Sequence, residues 1–409
     1  MHSFSCLCII VTAAVLASAA PSKRSSCTIS SVDDASDISD CSSVTINSLT
    51  VEDGDTMDLE PADGATITMA GNITFAKTSS DGPLFTIDGS DITFNGAGYV
   101  FDGNGADYWD GEGTDGGVAK PHPLLKFKGS GNYSDFTALN TPAQAISIGD
   151  SEGLTFDSIT VDNSAGDTDD LGANTDGFDV SANDVTIQNS VVKNQDDCLA
   201  INNGTGITFK NNQCSGGHGI SIGSIASDKA VSDVTISGNT VTDSMYGLRI
   251  KVDSDADDAS VSSITYSGNT LSGIEEYGVL ITQSYPDNDG TPGTGAPISD
   301  INFTGDATTV EVGDDASRLT VDCGACSGTW DFSELTITGG SAGTVDSDDA
   351  TVSYSTHSLM RLSLTPHLRF PLDLRRVLLS VQSIVWSCTC TCFFSATFCT
   401  NHLFLNSCP

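Results

Sequence analysis

Three short stretches place acids and a histidine just ahead of apolar runs: "NTDGFDV" from Asn174, "NQDDCLAI" from Asn194 and "GGHGISI" from Gly216. When they are aligned on Phe178/Val180, Leu199/Ile201 and Ile220/Ile222, Asp176, Asp197 and His218 fall at one offset, two residues before the first apolar residue. A fourth stretch, "YGLRIKV" from Tyr246, sets Arg249 and Lys251 on either side of Ile250, and Asp196 adjoins Asp197. Each piece alone is ordinary: an Asp pair reads as a turn, a His between glycines as a tight bend, an alternating Arg and Lys as a solvated strand face. Together they suggest acid–base chemistry. Carboxylates crowded into one cleft cannot all ionise easily, so one stays protonated as an acid while another serves as base.

Such a column requires elements that repeat. Apolar β triplets recur as "ITF" at Ile92, "LTF" at Leu154, "VTI" at Val185, "ITF" at Ile207, "VTI" at Val234, "ITY" at Ile264 and "INF" at Ile301, and from Leu154 onward the intervals are 22 to 37 residues. Each interval holds a second strand of period two, with Gly and Asn turns between. The 3.6 period of helical solenoids is absent, and a β-propeller needs four strands in a somewhat longer repeat. The pattern predicts an all-β fold, a single right-handed parallel β-helix. Neighbouring coils would lie about 4.8 Å apart, bringing Asp176, Asp197 and His218 into a short column on an outer face with Arg249 and Lys251 beside it.

The rest of the chain narrows the class. Residues 1–19 read as a secretory signal ending at Ala17-Ser18-Ala19, and Lys23-Arg24 marks either a short propeptide over 20–26 or a plain linker. A secreted, extracellular protein is expected, with disulfides permitted and the sequons at Asn72, Asn132, Asn203 and Asn302 as glycan candidates. The chain carries a net charge of −38, which makes nucleic acid an unsuitable partner and suits an acidic medium. Residues 27–355 hold nearly all of that charge. The tail over 356–409 has one acid, four Arg and five Cys. It does not read as the same domain, and we expect an erroneous translation of the last part of the gene rather than a membrane span over 377–398 or an anchor signal.

The four stretches "NTD", "NQDD", "GHG" and "RIK" resemble, in order and spacing, the signature motifs of the polygalacturonases. The similarity runs from about Cys27 to Gly340 and takes in "GNGADYWDG" at Gly103, "NTPAQAISIG" at Asn140 and "EYGVLITQSY" at Glu276. The resemblance implies a glycoside hydrolase on a right-handed β-helix that cuts the α-1,4 links of de-esterified pectin with inversion and without metal or other cofactor. It implies Asp196 as general acid, Asp176 and Asp197 as the pair activating water, and His218 as keeper of the acid's protonation. Asn174, Arg249, Lys251 and Tyr285 are implied as substrate contacts, and Cys27 with Cys41, Cys198 with Cys214 and Cys323 with Cys326 as disulfides. A further Cys pair of the family has no counterpart before Ser355, and Met245 stands where many relatives carry an acid. Adjacent rungs would bring carboxylates nearer than the roughly 6.5 to 9.5 Å usual for inversion, so inversion rests on the resemblance alone.

The expected activity is endo-cleavage by a monomer, because the intervals hold no long insertion to wall off an end of the cleft. Other readings are an exo-acting enzyme, a rhamnogalacturonan hydrolase, a Ca²⁺-dependent lyase on the same fold, and a non-catalytic pectin-binding decoy.

Overall fold

The computed structural model describes residues 26–354 apart from Asp289. The expected signal over 1–19, almost all of the 20–26 segment and the tail over 356–409 lie outside those residues. Within them the chain forms short parallel strands, with 3-10 turns at Val32–Asp37, Gly105–Asp107 and Ser164–Asp170. No helix there is long and apolar enough to cross a membrane.

Parallel pairing stacks the coils, and its register shifts fall outside two inward columns. Leu125, Ile146, Phe178, Leu199, Ile220, Leu248, Val279 and Leu319 occupy one column, and Phe127, Ile148, Val180, Ile201, Ile222, Ile250, Ile281 and Val321 the next inward one. Both columns are buried. A register slip of one residue would turn every one of these side chains to solvent, so the alternation fixes which residues face outward. The fold is the expected right-handed parallel β-helix, the hand that strand twist imposes on parallel crossovers.

Two internal ladders hold the coils together. Phe94, Tyr133 and Phe156 stack at centroid distances of 6.0 and 5.2 Å. Where the Asn-Asn and Gly-Asn turns close the coils, Asn212, Asn239 and Asn269 are fully buried. Asn212 Nδ2 donates to Asn239 Oδ1 at 3.2 Å, and Asn239 Nδ2 to Asn269 Oδ1 at 3.0 Å. The same oxygens accept the backbone N–H of Asn212 and Asn239, and Asn239 Nδ2 also reaches the Phe209 carbonyl. Each amide thus satisfies groups that the turn would otherwise bury unpaired.

The three expected disulfides are formed: Cys27–Cys41, Cys198–Cys214 and Cys323–Cys326. At the C-terminal end Thr329–Phe332 pairs in parallel with Thr351–Tyr354, and Tyr354 packs edge-on against Phe332.

Candidate active site

The turn preceding Phe178, Leu199 and Ile220 in successive coils delivers Asp176, Asp197 and His218 to one outer face, as the alignment requires. Local sequence explains how. Asn174 adopts φ 50°, a left-handed conformation that Asn tolerates better than most residues. Its Oδ1 accepts the Thr114 N–H at 2.9 Å and its Nδ2 donates to Asp196 Oδ2 at 3.2 Å. The glycines of "GHG" are obligatory: both have positive φ, and a Cβ would strike the Asp196 carbonyl from Gly217 and the Tyr246 carbonyl from Gly219. Cys198–Cys214 ties the residue after Asp197 to the strand that leads into His218.

The two adjacent acids have different surroundings. Asp197 is 1% exposed. Its Oδ1 accepts from Ser221 at 2.7 Å and Arg249 at 2.8 Å, and its Oδ2 from Lys251 at 2.7 Å. Arg249 also donates from Nε to Ser221 and lies over the Tyr246 ring, 4.2 Å from its centroid. Arg249 and Lys251 are therefore buried members of the site, and not the solvated strand face that their alternation alone would suggest. Lys251 Nζ lies 5.2 Å from the ring of Tyr285, which is half-buried at the end of the strand Thr270–Tyr285. Asp196 instead turns to the cleft, where its Oδ1 accepts the Asp197 N–H at 2.7 Å and lies 3.0 Å from His218 Nδ1.

These contacts separate the protons. Burial raises the Asp176 carboxyl well above the usual range, and the negative charges of Asp196, Asp179 and Asp197 add to it. Asp179 is pushed up to about 7 by burial, then by Asp197 and Asp196. Burial also opposes ionisation of Asp196, but the hydrogen bond and charge of His218, the charge of Lys251 and the Asp197 amide outweigh it and hold that carboxyl low. In the substrate-free cluster the protonated acid is thus on the Asp176 side.

Several members of the site were not singled out from the sequence. Asp179, Ser221 and Arg249 share one outward column, so Asp179 and Ser221 follow from the register that placed Arg249. The His218 offset continues as Tyr246 and Tyr277: Tyr246 meets the imidazole edge-on at 5.7 Å and stacks on Tyr277 at 6.0 Å. Asn194 gives no such signal. Its Nδ2 lies within 3.0 Å of the Thr175, Asp196 and Asp197 carbonyls and pins both acid-bearing turns together.

Asp196, Asp197 and His218 each bring one potential ligand atom within 4.8 Å of the others. A metal ion there would face Arg249 and Lys251, which already occupy Asp197, so the donor set does not fit one. What the arrangement offers is carboxylates in unlike protonation states beside a pair of cations, which suits acid–base attack on an anionic substrate.

Acids, a histidine and cations gathered on the outer face of a parallel β-helix are the makings of an acid–base enzyme, and here the particular family is defined by sequence. The model of Glycosyl hydrolases family 28 matches residues 41–357, and the chain belongs to this family; it is a glycoside hydrolase. An endo-polygalacturonase of Sclerotinia sclerotiorum is 45% identical over 74% of this chain and 80% of its own length. Endopolygalacturonase A of Aspergillus niger is 44% identical over 82% and 93%. The solved structure of endopolygalacturonase I from Stereum purpureum, complexed with two galacturonates, superposes with a TM-score of 0.80 at 65% identity, covering 80% of this chain and 99% of that one.

Proposed function

We propose that the protein is a secreted, monomeric endo-polygalacturonase that hydrolyses α-1,4-galacturonosyl links of de-esterified pectin with inversion. The observation that carries this reading is the Asp176, Asp196, Asp197 and His218 cluster beside buried Arg249 and Lys251 on a face that runs along the helix axis. Identity to enzymes named for this activity supports the substrate, a polyuronate whose carboxylates match the two cations.

In this reading Asp196, the more exposed of the adjacent acids at 13% of its side chain, protonates the leaving glycosidic oxygen. Asp176 and Asp197 orient the attacking water and accept its proton once the proton held on the Asp176 side has moved to Asp196, and His218 governs the Asp196 proton. Asn174 holds Asp196, while Lys251 and Tyr285 meet the sugar carboxylate with Arg249 behind them. In the empty site Asp196 is held low. A galacturonate carboxylate adds negative charge and competes for Lys251, and both effects raise the Asp196 carboxyl toward the range an acid needs.

Proton NMR of a fresh digest tests the stereochemistry. Inversion at an α-link releases the β-anomer first, which then mutarotates, and initial α-anomer would overturn it. Viscometry tests the mode of attack: viscosity should fall well before reducing ends accumulate. Release of monomer alone from the start would favour an exo-acting enzyme.

A further inference from the structure

"LKFKG" at Leu125 repeats the pattern of "LRIKV" at Leu248, and the fold puts the two in register. Leu125 and Phe127 stand in the inward columns of Leu248 and Ile250, five coil steps away through strands Ile146–Asp157, Phe178–Gln188, Leu199–Lys210 and Ile220–Ile225. Lys126 therefore occupies the same outward column as Arg249, and Lys128 and Lys251 are the next outward residues of their strands on that face. At about 4.8 Å per step the two cation pairs lie roughly 24 Å apart along the axis, with the catalytic acids between them.

Charge placement makes this more than a repeat. The described segment has ten Lys and Arg against more than fifty acids, and four of those ten stand on this one face. Lys126 and Lys128 are half-exposed. Lys128 approaches Asp88 only at 3.9 Å, and Lys126 has no ion-pair partner among the described residues. Lys120 nearby is not equivalent, because it is buried against Asp110 at 2.7 Å. Between the lysines and the acid cluster the outward positions are Ser147, Gly149, Asp179 and Ser181, three of them too small to obstruct a chain. Beyond each cation pair an acid takes over the column: Asp88 opposite Lys128, and Asp322 one coil past Thr282, which pairs with Lys251.

We propose that Lys126 and Lys128 form a distal subsite for a uronate carboxylate, marking the far end of a polyanion-binding face of which Arg249 and Lys251 are the near end. It rests on the polygalacturonate reading and adds to it a length requirement, since only a chain of several sugar units reaches both pairs.

The test compares the parent with K126A/K128A and K126R/K128R on galacturonate oligomers of graded length. Two exposed charge contacts are together worth roughly tenfold. For K126A/K128A, kcat/KM should fall about that much on polygalacturonate and long oligomers, mainly through KM, while trimer is cleaved as by the parent. K126R/K128R should retain parental values at all lengths. An equal loss at every length, or none at any, would overturn the subsite. Calorimetric binding of an octagalacturonate separates this from the activity. A parent that cleaves no oligomer overturns the hydrolase reading, yet octamer binding weakened about tenfold by K126A/K128A upholds the subsite, and binding unchanged by the substitution refutes it.

Discussion

At the residue scale the site works by giving like groups unlike surroundings. Asp196→Asn keeps nearly the same shape beside Asn174 and His218 but has no proton to give, so activity should drop by about 10² to 10⁴ with the melting temperature little changed. Near-parental turnover would remove Asp196 from the acid role. Lys251→Ala has a double effect that the sequence did not reveal, because Lys251 also neutralises Asp197. We predict a raised KM together with a loss of stability of about 2 kcal/mol, read by denaturant titration, since Asp197 Oδ2 loses its charged donor while Arg249 and Ser221 still hold Oδ1. Asp179 and Asp176 make stability depend on pH in a definite direction. Both are raised by burial, Asp179 to about 7, whereas in the unfolded chain they titrate near about 4. The Asp179 contribution is full below about pH 4 and is lost as pH rises through about 7, because over that window the native state holds a proton that the unfolded chain has released, and Asp176 acts in the same direction. Asp196, held low, acts in the opposite sense: its contribution is present above about pH 4 and is lost as pH falls further. Asp179→Asn should flatten the decline in melting temperature between pH 4 and 8, and a decline parallel to that of the parent would show that Asp179 does not cause it.

At the element scale, what could be read in the sequence is what the strand period controls. Inward pairs such as Phe178/Val180 and Leu199/Ile201 fixed the coil register, and that register placed Asp176, Asp197 and His218 correctly. It also contained Asp179, Ser221 and Tyr246, but small or aromatic outward residues look like any solvated strand until their neighbours are known. Where Asp197 sends its carboxylate, to Arg249 and Lys251 two coils on, depends on rotamers and not on period. The Asn212, Asn239 and Asn269 ladder was hidden for another reason: an Asn-Asn or Gly-Asn turn is expected on the surface, and only the closed solenoid shows its second residue to be buried. Asn239→Ala should destabilise by about 2 kcal/mol in urea titration, because it leaves the Asn212 N–H and the Phe209 carbonyl without the partners they have now. A cost near zero would mean that water replaces the amide and that the ladder is not structural.

At the scale of the whole molecule, a solenoid has two open ends, and each must be covered or its last coil exposes core. The first end is closed within the described residues by the 3-10 turn Val32–Asp37, buried Ala35 and Ile38, and the Cys27–Cys41 bridge. The other end is closed by the strand Thr351–Tyr354. There Ser353 Oγ donates to the Trp330 carbonyl at 3.1 Å, Trp330 and Phe332 are fully buried, and the ring of Tyr354 lies against Phe332. Burial also pushes the Tyr354 hydroxyl up to about 12, as expected of a ring that caps apolar side chains. The tail over 356–409, with five Cys and a single acid, matches nothing in the composition of these coils. Truncation after Ser355 should therefore leave the melting temperature and the activity on polygalacturonate as they are in the full chain, and should improve solubility by removing apolar residues and unmatched thiols. Tyr354→Ala in the truncated protein should lower the melting temperature by several degrees, because it strips the cover from Phe332. A large drop on truncation alone would show that residues past Ser355 cover this end, and the tail would then have to be counted as part of the domain.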